Sequence, residues 1–145
     1  MTNNVLPTDY QSFIALSRYA KWLEDERRRE TFAETVERYM DNVVIPKLDP
    51  EFHRTGGDYT DGGIFSQDYK DLEQAILNLE VMPSMRSLMT AGAAANRDNT
   101  CMYNCSYLPV DDPKSFDEAM FILLCGTGVG FSVERQFISK LPEVP

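Results

Sequence analysis

The chain has 145 residues, 43% of them hydrophobic and 26% charged, with three cysteines and a formal net charge of −9. That length suits one ordinary domain with its own core, and the balance of apolar to charged residues excludes a disordered tail, a collagen-like repeat and a disulfide scaffold. So negative a charge argues against direct contact with nucleic acid, whose binders gather Lys and Arg in patches.

No run approaches the roughly 20 apolar residues needed to cross a bilayer, and Met1-Thr-Asn-Asn carries neither the basic nor the apolar part of a secretion signal. An odd number of cysteines with no such signal predicts free or catalytic thiols in a reducing cytoplasm, and no membrane partner.

From Tyr10, the apolar positions Phe13, Leu16, Tyr19, Ala20 and Leu23 repeat at helical spacing and predict a first helix. Arg27-Arg28-Arg29 is flanked by Glu24, Asp25, Glu26 and Glu30, which reads as a solvated, self-paired helix end in preference to a phosphate site. Thr31 and Glu34 form a capping-box pattern, and Phe32, Val36, Tyr39, Met40 and Val43 make one stripe that Pro46 is expected to stop. Between Pro46 and Gly63 the Pro, Asp, Gly and Thr residues predict a loop, with His53 in it as a surface histidine. Ser66 is expected to cap a third helix with the face Tyr69, Leu72, Ala75, Ile76 and Leu79, ending before Pro83. These helices make a helical domain over 1–81, and 82–145 reads as a second part.

In that second part, 90–99 is small and polar and ends a helix or loops around a ligand. Cys101 to Leu108 predicts a short strand bearing Cys105. Asp112-Pro113 or Ser115 starts a helix whose apolar face is Phe116, Ala119, Met120, Leu123 and Leu124, and Gly126 stops it. Val129 to Val133 is β-branched and apolar, so the order is strand, helix, strand, as in a parallel α/β unit.

Three chemistries are open to these residues. Cys101 and Cys105 lack a third cysteine at the spacing of a radical iron–sulfur site, where Leu108 stands, and a remote histidine completes no zinc set, so no metal is predicted. Gly126-Thr-Gly-Val-Gly130 enters a strand instead of following one and carries no Lys-Ser/Thr, which rules out the nucleotide fingerprints; its use is a close backbone approach or a tight turn. Cys105 is the chemical candidate, because a thiolate exchanges with disulfides and donates reducing equivalents. Cys125 reads as core. Cys101 and Cys105, taken as four residues apart on one extended strand, lie too far apart for a disulfide, which argues against an autonomous thiol–disulfide protein.

The ordered set Met82-Pro-Ser-Met-Arg86, Asn104-Cys105, Phe116-Asp-Glu118, Gly128-Val-Gly-Phe-Ser-Val133 and Ile138-Ser-Lys-Leu-Pro142 resembles the N-terminal part of ribonucleotide reductase large chains, in particular the adenosylcobalamin-dependent class II enzymes. Ser17-Arg-Tyr-Ala-Lys-Trp-Leu23 and Glu30-Thr-Phe-Ala-Glu-Thr-Val36 are similar to that class too, so the resemblance runs along nearly the whole chain.

It implies an α/β fold in which an N-terminal helical domain precedes the first strand-helix-strand of a ten-stranded barrel. It further implies that Cys105 is one of two redox-active cysteines, which reduces the ribose 2′-carbon and ends the turnover in a disulfide with a cysteine of a later strand. Substrate contacts carry over to Met82, Ser84, Asn104, Cys105 and Gly128. The family's radical-bearing cysteine, adenosylcobalamin contacts and thioredoxin-linked tail cysteines lie beyond the matched segments. The chain is therefore expected to act with a complementary C-terminal reductase fragment, on a ribonucleotide substrate. The alternative is a non-catalytic binding or assembly module that kept the reductase N-terminus, since an unfinished barrel exposes strand edges that recruit other chains.

Overall fold

A computed structural model describes residues 6–48 and 65–143. The loop expected before Gly63 and His53 lie outside the described residues, apart from the first positions after Pro46. The chain divides into two compact units, Met1–Asn96 and Arg97–Pro145.

The first unit opens with α1 (Asp9–Ile14), whose N-cap Thr8 accepts a hydrogen bond from the Gln11 amide at 3.2 Å. The helix widens into a π-helical turn at Ala15–Tyr19 and stops at Ala20, which is extended at ψ 130°. The expected continuation to Leu23 does not occur. Trp22–Leu23 (β1) instead pairs antiparallel with Arg28–Arg29 (β2), and Arg27 takes a left-handed φ of 52° to close the hairpin. The basic run is thus a hairpin arm and not a helix end. The reason is tertiary: the carboxylate of Glu30 lies buried and accepts the Lys21 amide at 3.0 Å, which folds the two arms together. The predicted self-pairing does occur locally, with Arg28 donating to Glu26 at 2.7 Å and to both Glu34 oxygens at 2.6 and 2.7 Å.

Helix α2 (Phe32–Tyr39) carries the predicted capping box in full: the Glu34 amide donates to Thr31 Oγ1 at 3.2 Å, and the Thr31 amide donates to Glu34 Oε2 at 2.6 Å. Pro46 does not end the helical path. A π-helical turn at Met40–Val44 intervenes, the Ile45 amide donates back to Met40 O, and Pro46 lies inside the short α3 (Ile45–Leu48). A widened turn has already departed from the regular ladder, so a residue without an N–H costs less just after it.

Helix α4 (Phe65–Leu77) starts before Ser66, which is therefore a helical residue and not the cap. Its Ile76 meets Val36 and Met40 to form the core of the unit, ringed by Phe32, Tyr39, Val44, Tyr69 and Leu77. Leu79 takes a left-handed φ of 62° in the turn that follows, outside the helix. Helix α5 (Met85–Thr90) comes next, then a buried Ala91-Gly92 turn, and α6 (Ala93–Arg97) runs up to the division between the units.

In the second unit a 3₁₀ turn (Asn99–Met102) precedes β3 (Cys105–Pro109), α7 (Ser115–Leu124), β4 (Gly128–Ser132) and the short α8 (Arg135–Ile138). Strands β3 and β4 are parallel, with Cys105 opposite Gly128 and Tyr107 opposite Gly130. The predicted strand-helix-strand is present, and Gly126 ends α7 at φ 87°. Helices followed by this parallel unit make an α/β fold; the two strands form an open sheet, and no closed barrel occurs among the described residues.

The inward stripe of α7 differs from the one predicted. Ser115 is buried, and Ala119, Ile122 and Cys125 are half-buried, whereas Phe116, Met120, Leu123 and Leu124 are exposed, Leu124 at 79%. The helix is apolar on most sides, so its sequence alone marks no single face, and a two-stranded sheet covers only one stripe.

Candidate functional site

Alternation along a strand puts Cys105 and Tyr107 on one face of the sheet, and the parallel register places a glycine beside each. Both side chains are exposed. A Cβ at Gly128 would lie 3.3 Å from Asn104 O and 3.8 Å from Cys105 Sγ; at Gly130 it would lie 3.5 Å from Ser106 O. The two glycines therefore leave a shallow trough along the thiol side of β3. The Gly128 amide donates to Asn104 O at 3.0 Å, so Asn104, Cys105 and Gly128 are immediate neighbours. Met82 and Ser84 are neighbours in the first unit, both exposed. Ser84 is the N-cap of α5 by position, but its hydroxyl makes no capping bond.

The approach to Cys105 is fixed by Thr127, a residue that pattern reading passed over. Thr127 is buried, and its single hydroxyl hydrogen is shared between two carbonyls, Thr100 O at 2.6 Å and Tyr103 O at 3.1 Å. It ties the start of β4 to the turn that leads into β3. A small hydroxyl residue between two glycines at a strand entry was the available signal. Ser106 adds a second tie, donating to Gly128 O at 3.0 Å.

The three cysteines are free thiols in different settings. Cys101 sits in the 3₁₀ turn and not on the strand, so the extended spacing expected between it and Cys105 does not apply. Desolvation first, then the neighbouring Asp98 and Cys101, push the Cys125 thiol up from its ordinary value, with Arg97 opposing. A raised thiol is a poor nucleophile at neutral pH, and Cys125 is half-buried, as expected of a packing residue. Among the described residues no helix is long and apolar enough to cross a membrane.

The motif order meets its counterpart in known proteins. No family model matches the chain. The adenosylcobalamin-dependent ribonucleoside-triphosphate reductase of Lacticaseibacillus paracasei is 31% identical over 151 aligned positions, which cover 87% of this chain and 19% of the relative. The enzymes of the same name from Lactobacillus gasseri and Lactobacillus acidophilus are 25% and 26% identical, each with 87% of this chain and 19% of the relative covered. A crystal structure of a B-12 dependent (class II) ribonucleotide reductase shares the fold, with a TM-score of 0.74 at 24% identity over 91% of this chain and 21% of that one.

The chain is homologous to the N-terminal part of class II ribonucleotide reductases. It spans about a fifth of the length of the curated reductases it matches. The exposed thiol on the first parallel strand, the glycine beside it and the preceding helices are thus read within a reductase homologue.

Proposed function

We propose that the chain supplies the N-terminal part of an adenosylcobalamin-dependent ribonucleotide reductase, a helical domain over 1–81 and the opening of a ten-stranded barrel over 82–145, and acts in the cytoplasm once assembled with a complementary C-terminal reductase chain. The observation that carries this reading is the register of β3 on β4, which leaves the Cys105 thiol exposed beside Gly128. We assign substrate contacts to Met82, Ser84, Asn104, Cys105 and Gly128, and catalysis to Cys105.

In the assembled enzyme Cys105 and a second cysteine of the complementary chain each give up one hydrogen. The ribose 2′-carbon exchanges its hydroxyl for hydrogen, the hydroxyl leaves as water, and the two sulfurs join in a disulfide. A thioredoxin-like dithiol then reduces that disulfide by exchange. Adenosylcobalamin supplies radical initiation when bound. A two-stranded sheet that offers one exposed thiol beside a glycine supplies no donor set to hold a corrin, so no residue of this chain is assigned to the cofactor.

The apolar sides of α7, open to solvent, support the need for a covering chain. Mixing this chain with the complementary fragment, cofactor, reductant and a ribonucleoside triphosphate should yield deoxyribonucleotide, and Cys105→Ser should abolish it while leaving the thermal midpoint of the chain unchanged. Turnover by the serine variant would overturn the assignment.

A further inference from the structure

The first unit holds a buried ion pair that belongs neither to its apolar core nor to the residues assigned to substrate. Glu30 is only 5% exposed. Arg38 grips its carboxylate with Nε on Oε1 at 2.8 Å and a terminal nitrogen on Oε2 at 2.9 Å, and Thr35 adds a bond at 3.2 Å. The same guanidinium donates to three backbone carbonyls: Tyr19 O at 3.2 Å, Leu88 O at 2.9 Å and Ala91 O at 2.8 Å. Lys21 Nζ also reaches Ala91 O, at 2.6 Å.

Two of these carbonyls belong to the C-terminal end of α5, where a helix has acceptors without partners and a negative dipole end. Two cations therefore close on that end, held in place by one buried carboxylate. Helix α5 has six residues, too few to persist without tertiary anchors. Its anchors are the Leu88 side chain, 1% exposed, and this grip. Its other end starts at Ser84, whose carbonyl accepts the Leu88 amide at 3.0 Å. Gly92 lets the chain turn directly over the grip, at φ 101° with a Cβ position only 3.1 Å from Lys21 Nζ.

We infer that Arg38, set by Glu30, is a positioning residue that clamps the C-terminal end of α5 and thereby fixes Ser84 and Met82 for substrate. The functional half of this rests on the assignment of Ser84 and Met82 above; the mechanical half does not. A lysine at 38 keeps the charge but lacks the planar fork that serves five acceptor atoms at once.

Two measurements test it. In the 145-residue chain, hydrogen exchange at the Leu88 and Ala91 amides should accelerate in Arg38→Lys, while the Met40 and Ile76 amides in the core stay protected. The double variant Glu30→Gln with Arg38→Gln, which strands no buried charge, should do the same. Unchanged α5 protection in both variants overturns the clamp, and so does equal loss across the core and α5.

In the assembled reductase, Arg38→Lys and Ser84→Ala should each raise the KM for a ribonucleoside triphosphate by roughly five- to tenfold with kcat nearly constant. Combined, they should be no worse than the larger single effect, because one acts through the other. Additive effects, or a loss confined to kcat, overturn the positioning role. If Ser84→Ala leaves KM unchanged, the substrate assignment of Ser84 fails, and exchange at α5 still decides whether the clamp exists.

Discussion

Cys105 owes its accessibility to a neighbour with no side chain. Gly128→Val would place carbon beside the sulfur and press on Asn104 O, so alkylation of Cys105 by iodoacetamide should slow several-fold relative to the parent chain, with Cys101 as the internal control. Glu34 shows a different residue-scale effect. Hydrogen bonds from Arg28, then from the Thr31 backbone, hold its carboxyl down at about 2, against an ordinary 4.5. Because the folded value is the lower one, the stabilisation is fully present above about 4.5 and is lost as pH falls toward 2. The thermal midpoint should therefore decline with acid across that window, and Arg28→Gln should flatten the decline. Glu30 has the same sign: burial pushes it up, but Arg38, the Lys21 amide and Thr35 together hold it below its ordinary value. The separate motifs that hold Cys105 and Gly128 were legible in the sequence. The roles of Thr127, Glu30 and Arg38 were not, since each depends on carbonyls or charges distant in the chain.

Elements with local determinants form where their sequence places them. The capping box of α2 is written in two residues three apart, Thr31 and Glu34, and Thr31→Ala should cost about 1 kcal/mol by urea denaturation. Met40→Ala, at the fully buried centre shared with Val36 and Ile76, should cost about 2–5 kcal/mol in the same titration. Elements decided by distant partners depart from their pattern. Helix α1 ends before Leu23 because Glu30 draws Lys21 into a hairpin. The helical path passes Pro46 because a π-helical turn precedes it. On α7 periodicity could not name the inward stripe, since seven of its ten positions are apolar and the sheet makes the choice.

At the largest scale, the second unit presents apolar surface that its own strands and helices leave uncovered. Phe116, Met120, Phe121, Leu123 and Leu124 all lie open on α7, and Phe131 on β4. Large apolar side chains left open in such number point to an interface. Leu124→Lys should leave the stability of this chain within about 0.5 kcal/mol, as expected for an exposed position, yet weaken association with the complementary reductase chain proposed above in a pull-down or by calorimetry. Unchanged association would argue that another face meets the partner.

The sequence by itself determined the order of helices before a strand-helix-strand, the capped start of α2, the glycine stop of α7 and the thiol at Cys105, because each rests on residues within a few positions of one another. Only the tertiary structure decided that the basic run is a hairpin arm, that Arg38 and Lys21 converge on the end of α5, that Thr127 ties two turns together, and that Gly128 lies beside Cys105. Those are facts of pairing and burial between segments far apart in the chain, and a one-dimensional pattern of apolar and polar residues does not carry them.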